Sequence, residues 1–458
     1  MSETIVIIGG GISGLSAAYT LQQETRSRIV LLEADRLGGK IQTTTEGDLL
    51  IEHGPDSVFT AKPAAMELIR ELDLESEIIE PQQSEFAVFV GGRLHPVPRA
   101  MVSLMSIGSG ALERVGFLSA ASKRRVLRER EVAPGHSADE SIASFFRRRF
   151  GSRFSKSLPE PMLAGIHAGD PQKLSMAALY PAYLGLEQRA GSLSAPTAPA
   201  EPGKYGGKRP GFISLRSGIQ TLSDRLVERL ERTEVRLGTQ VHGLRRSGGR
   251  FQVLTNEGLL EADGLILAVP PYVAAELLRE LSPEAAAVIR QVRHVSTAVA
   301  TFAFPAQAFP DGLRGNGFLV ATGEPCAIGG CTWTSNKWAG RAPDGRVLMR
   351  AFLGRDGGGP DVENTSDHEL LSLAERELNR ILHPVLSPTF RHLHVWKNAM
   401  PQAEVGHLEL MDRVQALVQE LPLRLAGAGY RGSGIPDCIR QGREAARAIA
   451  RELDKVIA

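Results

Sequence analysis

The chain has 458 residues, about three times the length of an average domain, and its 42% hydrophobic and 23% charged residues exclude a disordered, collagen-like or coiled-coil protein. With 53 Lys and Arg against 52 Asp and Glu the formal charge is +1, so no overall field gathers nucleic acid, and no nucleic-acid partner is expected. The three cysteines, Cys326, Cys331 and Cys438, form no C-x-x-C pair and argue against a disulfide scaffold or zinc ribbon, while 48 glycines call for places where backbone meets a ligand. There is no basic n-region and no apolar run long enough to span a membrane, so the expectation is a cytoplasmic, multi-domain protein.

The run from Thr4 to Ile8 is continuously apolar, as a parallel strand buried on both faces requires. Gly9, Gly10, Gly11, Ile12, Ser13 and Gly14 follow at once, and Leu15, Ala18 and Leu21 recur at helical spacing. This is G-x-G-x-x-G in its strand–turn–helix context: Gly9 turns the chain, Gly11 admits a pyrophosphate to the helix N-terminus, and Gly14 lets helix and strand pack closely. A second strand, Arg28 to Leu32, ends in Glu33, about twenty residues after Gly14, where a carboxylate can accept from a ribose. Glu33 and Ala34 lead into Gly38, Gly39 and Lys40. An acidic residue, a short spacer, Gly-Gly and a cation resemble the signature of the FAD-dependent amine oxidase, carotenoid desaturase and porphyrinogen oxidase group. That likeness implies FAD as cofactor, Gly39 against it and Lys40 helping to neutralise phosphate.

Gly54 and Pro55, followed by Asp56 and Ser57, predict a rigid turn, and Lys62 lies just beyond it. Between Glu113 and Arg153 ten cations oppose five anions beside an apolar stretch, which reads either as a solvated helix face or as a surface resting on an anionic membrane. Gly165 and His167 stand in a short Gly-Ile-His-Ala-Gly-Asp segment. Residues 189–211, rich in Pro, Gly and Ala, predict a mobile loop, either a solvated connector or a lid. Val235 to Val241 predicts a strand, and Asn256 to Pro270 a hairpin feeding a buried strand. His392 and His394 alternate on a predicted strand, but without a neighbouring Cys or carboxylate no metal site is expected. Near the C-terminus, Gly427 to Gly434, including Ser433, brings backbone toward a ligand before Ile435 and Pro436 open a helix. Its N-terminus, aimed at an isoalloxazine, would stabilise the reduced flavin anion.

Taken with Gly54 to Ser57, Gly165 to Asp170, Cys331 to Trp338 and Gly432 to Ile439, the chain resembles the protoporphyrinogen/coproporphyrinogen oxidase family, and most closely its Gram-positive, coproporphyrinogen-oxidising branch. The resemblance implies an α/β fold (α+β overall): a discontinuous Rossmann-like FAD part (1–84, 207–275 and 406–458), a mixed-sheet substrate part (85–98 and 276–405) and a helical, membrane-binding-like part (99–206). It implies that Gly54 and Pro55 lie near the flavin ring, that Val241 reads the adenine edge by its backbone, and that Trp396 lies near the flavin. The implied reaction is a six-electron oxidation of a porphyrinogen by oxygen, with peroxide released and no catalytic side chain, because flavin N5 accepts the hydride. Lys62, Gly165 and His167 are the substrate-binding candidates, and Phe86 stands about where protoporphyrinogen-type relatives carry an Arg, which favours the coproporphyrinogen branch. With only 5% aromatic residues, a pocket lined mainly by aliphatic side chains and backbone is expected. Peripheral contact with the inner face of the cell membrane and contact with a downstream haem-pathway enzyme are further expectations, and monomer and homodimer stay open. The competing readings are a protoporphyrinogen oxidase, a flavin amine oxidase or carotene desaturase, and a non-enzymatic prenyl-group escort of the Rab GDP-dissociation-inhibitor kind.

Overall fold

In the computed structural model, which describes residues 3–101, 104, 107–194 and 211–457, the strand Thr4–Ile8 is the middle of a five-stranded parallel sheet. The order is Thr233–Leu237, Arg28–Glu33, Thr4–Ile8, Gly264–Leu267 and Leu423–Leu425, so both ends of the chain and its middle build one layer. All five residues of the central strand are buried, because each face is covered. Ile5 and Ile7 pack under the helices Ile12–Glu24 and Ile435–Ile457. Val6 and Ile8 face a three-stranded antiparallel sheet (Val241–Ser247, Arg250–Thr255 and Gly258–Ala262) together with helices that include His407–Val418. The alternation of partners along the strand is the period of two that a pleated sheet imposes.

The predicted strand Val235 to Val241 is two strands. Gly238 takes φ +77°, and the break sends Thr233–Leu237 into the parallel sheet and Val241–Ser247 into the antiparallel one. An apolar count cannot see this break, since the residues on both sides favour strand.

A seven-stranded mixed sheet runs in the order Phe390–Pro401, His294–Pro305, Arg346–Leu353, Ile328–Trp333, Gly317–Val320, Phe86–Val90 and Arg93–Val97. Only Gly317–Val320 and Phe86–Val90 pair in parallel. The helix Asp367–Leu382 covers one face, its N-terminus capped by the Ser366 hydroxyl.

Short helices between Arg99 and Ala190 form a third layer around Phe145, Phe146, Phe150 and Phe154. Here three of the cations are consumed inside the fold, while Arg114, Arg124, Arg128, Arg130 and Arg153 stay exposed. Arg149 is fully buried against Glu129 and Glu187, Arg148 pairs with Glu140 and Glu187, and Arg147 with Glu160. Glu160 and Glu187 lie beyond the window counted in sequence, so the local charge there overstated the exposed charge. The predicted loop at 189–211 falls mostly on 195–210, outside the described residues.

Candidate functional site

The three layers enclose a cleft of about 3290 Å³. A single small-molecule site takes roughly 300–1,000 Å³, so this space accommodates a dinucleotide and a second large ligand together.

The dinucleotide end is built from glycines with separate duties. Gly9 adopts φ +106°, and a Cβ there would stand 2.5 Å from the Ala268 carbonyl oxygen. At Gly14 a Cβ would meet the Gly9 carbonyl oxygen at 1.9 Å, so only glycine lets the helix start this close to the turn. Gly11 is different: nothing lies within 4 Å of its would-be Cβ, and it opens onto the cleft with Ile12 and Ser13. The helix beginning at Ile12 has no side-chain N-cap and no acidic residue in its first turn, which leaves its donors for an anion from outside. Glu33 is held by its own neighbourhood, accepting from Gly10 N at 2.6 Å and Asp35 N at 2.9 Å, and it lines the cleft with Ala34. Gly39 takes φ +57° with its would-be Cβ 3.2 Å from Gly11 Cα, so the Gly-Gly pair lies directly on the phosphate turn. Val241 lines the cleft at the same end.

Gly54 and Pro55 form the next wall. A Cβ on Gly54 would be 2.0 Å from the Lys40 carbonyl oxygen, and Trp396 donates from Nε1 to the His53 carbonyl at 2.9 Å, which seats its indole beside the turn. Lys40 lines the cleft, its buried ammonium donates to the Ala399 carbonyl, and burial pulls its pKa down. The Asp56 carboxylate accepts from Lys337 at 3.0 and 3.2 Å, from Trp338 Nε1 at 3.1 Å and from Ser57 Oγ at 2.8 Å, with Arg350 at 3.9 Å. Burial alone would raise this carboxyl, but the charges and hydrogen bonds of Lys337, Arg350 and Trp338 outweigh it and hold the group below the usual carboxylate range. Asp56 and Ser57 thus brace the turn from behind, and the Cys331 to Trp338 motif is the other half of that brace.

The C-terminal helix reaches the same cleft because Gly442 lets it cross the first helix closely, its would-be Cβ only 2.2 Å from the Ser13 carbonyl oxygen. Gly427, Ser433, Gly434 and Ile435 line the cleft there. Gly432, at φ +102°, turns the chain against Asp437, which pairs with Lys62 at 2.6 Å. His167 is buried. Tyr180 donates to the Leu163 carbonyl at 2.7 Å, so His167 Nε2 donates to the Tyr180 oxygen at 3.2 Å and Nδ1 accepts from Ser433 Oγ at 3.3 Å. Burial and the Lys62 charge push its pKa down to about 4, leaving the ring neutral. Lys62 and His167 both line the cleft, as does Gly165, but their polar atoms tie the helical layer and the Lys62 turn to the C-terminal glycine loop. Burial raises the Cys438 thiol to about 11, which argues against a thiolate able to link a flavin.

Sequence reasoning missed two arginines. Arg350 is buried and donates to the Gly54 carbonyl at 2.5 Å; no motif surrounds it, only a strand pattern. Arg355 lines the cleft on a glycine-rich loop and has no carboxylate or carbonyl partner among the described residues, and burial lowers its pKa. Most of the lining is aliphatic side chain, glycine and proline, with Phe59, Phe86, Tyr180, Phe212, Tyr272 and Phe352 among it, and Phe59 and Phe212 sit with ring centroids 5.1 Å apart.

The family model described as flavin containing amine oxidoreductase matches residues 12–450. The chain belongs to that family. As a flavin containing amine oxidoreductase it is an FAD-dependent oxidoreductase of mixed α/β fold, and the open Gly11, the uncapped helix and the Gly39 contact are what an FAD pyrophosphate requires. It is 33% identical to coproporphyrinogen III oxidase of Bacillus subtilis (strain 168), covering 96% of each chain. It is 30% identical to protoporphyrinogen oxidase 1, chloroplastic, of Spinacia oleracea, covering 97% of this chain and 83% of that one. A crystal structure from Exiguobacterium sp. 255-15, provisionally named a protoporphyrinogen oxidase, matches with TM-score 0.86 at 32% identity over 99% of both chains.

Proposed function

We propose that this protein oxidises coproporphyrinogen III to coproporphyrin III in haem biosynthesis, with oxygen as terminal acceptor and hydrogen peroxide as second product. The observation that carries this reading is the full-length likeness to the Bacillus subtilis coproporphyrinogen III oxidase. Porphyrinogen and porphyrin differ by six electrons and six protons, so the balance is one porphyrinogen and three oxygen molecules giving one porphyrin and three peroxides. When bound, FAD supplies the two-electron acceptor, so the oxidation takes three rounds.

The chain's own residues bind and orient. Gly11, the N-terminus of the helix at Ile12, Glu33, Gly39 and Val241 would hold the dinucleotide, and Gly54, Pro55, Trp396 and Gly427 to Ile435 would border the ring. The aromatic wall of Phe59, Phe212 and Phe352 gives a macrocycle an apolar face to lie on. A tetracarboxylate substrate needs cationic anchors. Arg355 offers an unspent guanidinium for a propionate, and Lys62 can share its ammonium between Asp437 and a second one. Phe86 offers no charge at its place on the wall. A division into cofactor, substrate and helical parts at the boundaries above fits this arrangement. Peripheral contact with an anionic membrane would rest on the exposed Arg114, Arg124, Arg130 and Arg153 of the helical layer, since its central arginines are paired internally; no described helix is long and apolar enough to cross a membrane.

The test is turnover of FAD-loaded protein with anaerobically prepared coproporphyrinogen III or protoporphyrinogen IX, following porphyrin fluorescence and counting peroxide. The expected result is coproporphyrin with three peroxides per product. No porphyrin above autoxidation defeats the proposal. A higher kcat/KM on protoporphyrinogen IX moves the assignment to the second reading, which the likeness to the Spinacia oleracea oxidase favours.

A further inference from the structure

His53, His392 and His394 each bring one ring nitrogen to a common point, and these atoms all lie within 4.8 Å of one another. They arrive from two separate elements. His53 follows the hairpin of Thr43–Glu46 and Leu49–Glu52 and immediately precedes Gly54. His392 and His394 share one face of the edge strand Phe390–Pro401, in register with Thr301 and Val299. The His53 ring centroid is 4.9 Å from that of His392 and 4.7 Å from that of His394.

Ordinary packing does not account for the cluster. His392 Nε2 is buried without a hydrogen-bond partner, an unmade interaction that costs free energy. Thr44 Oγ1, 2.8 Å from His53 Nε2, holds that ring in place. The strand residues His392 and His394 do not line the cleft; His53 borders it, and the His394 ring packs on Trp396 with centroids 4.3 Å apart.

We propose that His53, His392 and His394 form a three-imidazole site for a first-row divalent cation of the zinc class, behind the Gly54 turn. Nitrogen ligands stand about 2.0–2.1 Å from zinc and hence about 3.3 Å from one another in a tetrahedral site, which small side-chain rotations reach from the observed spacing. Three neutral nitrogen donors without a carboxylate suit zinc, copper or nickel and exclude calcium and magnesium, which demand oxygen. A bound ion would pin the edge strand carrying Trp396 to the hairpin carrying Gly54.

The experiment is equilibrium dialysis of tag-free, FAD-loaded protein against micromolar zinc ion, with metal content measured per chain, and cobalt ion in parallel for its visible absorption. One ion per chain is expected. His392→Ala and His394→Ala should each weaken binding by about tenfold or more, while His368→Ala, exposed on the helix that covers the opposite face of the sheet, leaves it unchanged. FAD content checks each variant. Where an alanine variant loses flavin, His392→Phe replaces it, since the Phe390 and His392 rings already lie nearly parallel, with centroids 6.5 Å apart. Absence of a stoichiometric ion, or equal retention by the His392→Ala/His394→Ala double variant, overturns the proposal.

Discussion

The Lys337 ammonium donates to both carboxylate oxygens of Asp56, at 3.0 and 3.2 Å, joining the Gly-Pro-Asp-Ser turn to the Cys-Thr-Trp-Thr motif across most of the chain. With Trp338 Nε1 on the same carboxylate and Arg350 on the Gly54 carbonyl, a buried polar network fixes the loop that borders the flavin end of the cleft.

Asp56→Asn leaves the Lys337 and Arg350 charges without their carboxylate, and breaking a buried pair costs about 3–5 kcal/mol. The variant should unfold earlier and retain less FAD. Because the folded pKa of Asp56 is depressed, its contribution is fully present above the ordinary carboxylate range and fades as the pH falls through and below that range. Thermal midpoints of wild type and Asp56→Asn, measured across pH, should therefore converge in acid. A gap that stays constant or widens in acid refutes this.

Gly11→Ala and Gly14→Ala should fail in different ways. At Gly14 the new methyl meets the Gly9 carbonyl, so stability drops by about 1–3 kcal/mol, the usual cost of overpacking. At Gly11 the methyl meets no protein atom and projects into the cleft, so the protein folds but emerges colourless. Flavin absorbance and thermal melting of the apoproteins separate the two.

Arg355→Met removes an unpartnered cation from the cleft. Loss of one charge-assisted hydrogen bond to a substrate carboxylate is worth about 1.5–3 kcal/mol, which is roughly ten- to a hundredfold in KM. The turnover number should change little, and apoprotein stability should hold or rise, because a half-buried, unpaired charge is gone. Steady-state kinetics on coproporphyrinogen III decide it; an unchanged KM removes Arg355 from the substrate site.

Gly442→Ala tests the helix crossing that brings both N-termini to one cofactor. Its methyl would meet the Ser13 carbonyl at 2.2 Å, so the helices must separate and carry Ile435 away from the cleft. The expected outcome is a weakened FAD affinity with secondary structure intact, read by flavin release on dilution and by far-UV circular dichroism.

The dinucleotide turn was legible in the sequence because its requirements are local. Gly9, Gly11 and Gly14 act within one strand–turn–helix, and Glu33 closes the next strand at a fixed distance. The three-layer arrangement was legible through family likeness rather than periodicity. The break at Gly238 and the burial of Arg149 were not, since each depends on which distant segment arrives alongside.

What the sequence by itself determined is therefore the class of cofactor and the type of fold. Short-range spacing of glycines and one carboxylate suffices for backbone to meet a pyrophosphate. Tertiary structure alone decided that Asp56 pairs with Lys337, that Lys40 points to Ala399, that Arg355 stands in the cleft without a carboxylate or carbonyl partner among the described residues, and that His53 meets His392 and His394. The physical reason is common to all four. A charged or titratable side chain takes its role from the partners that reach it or fail to, and for Lys40, Asp56 and His53 those partners come from strands and loops hundreds of residues away.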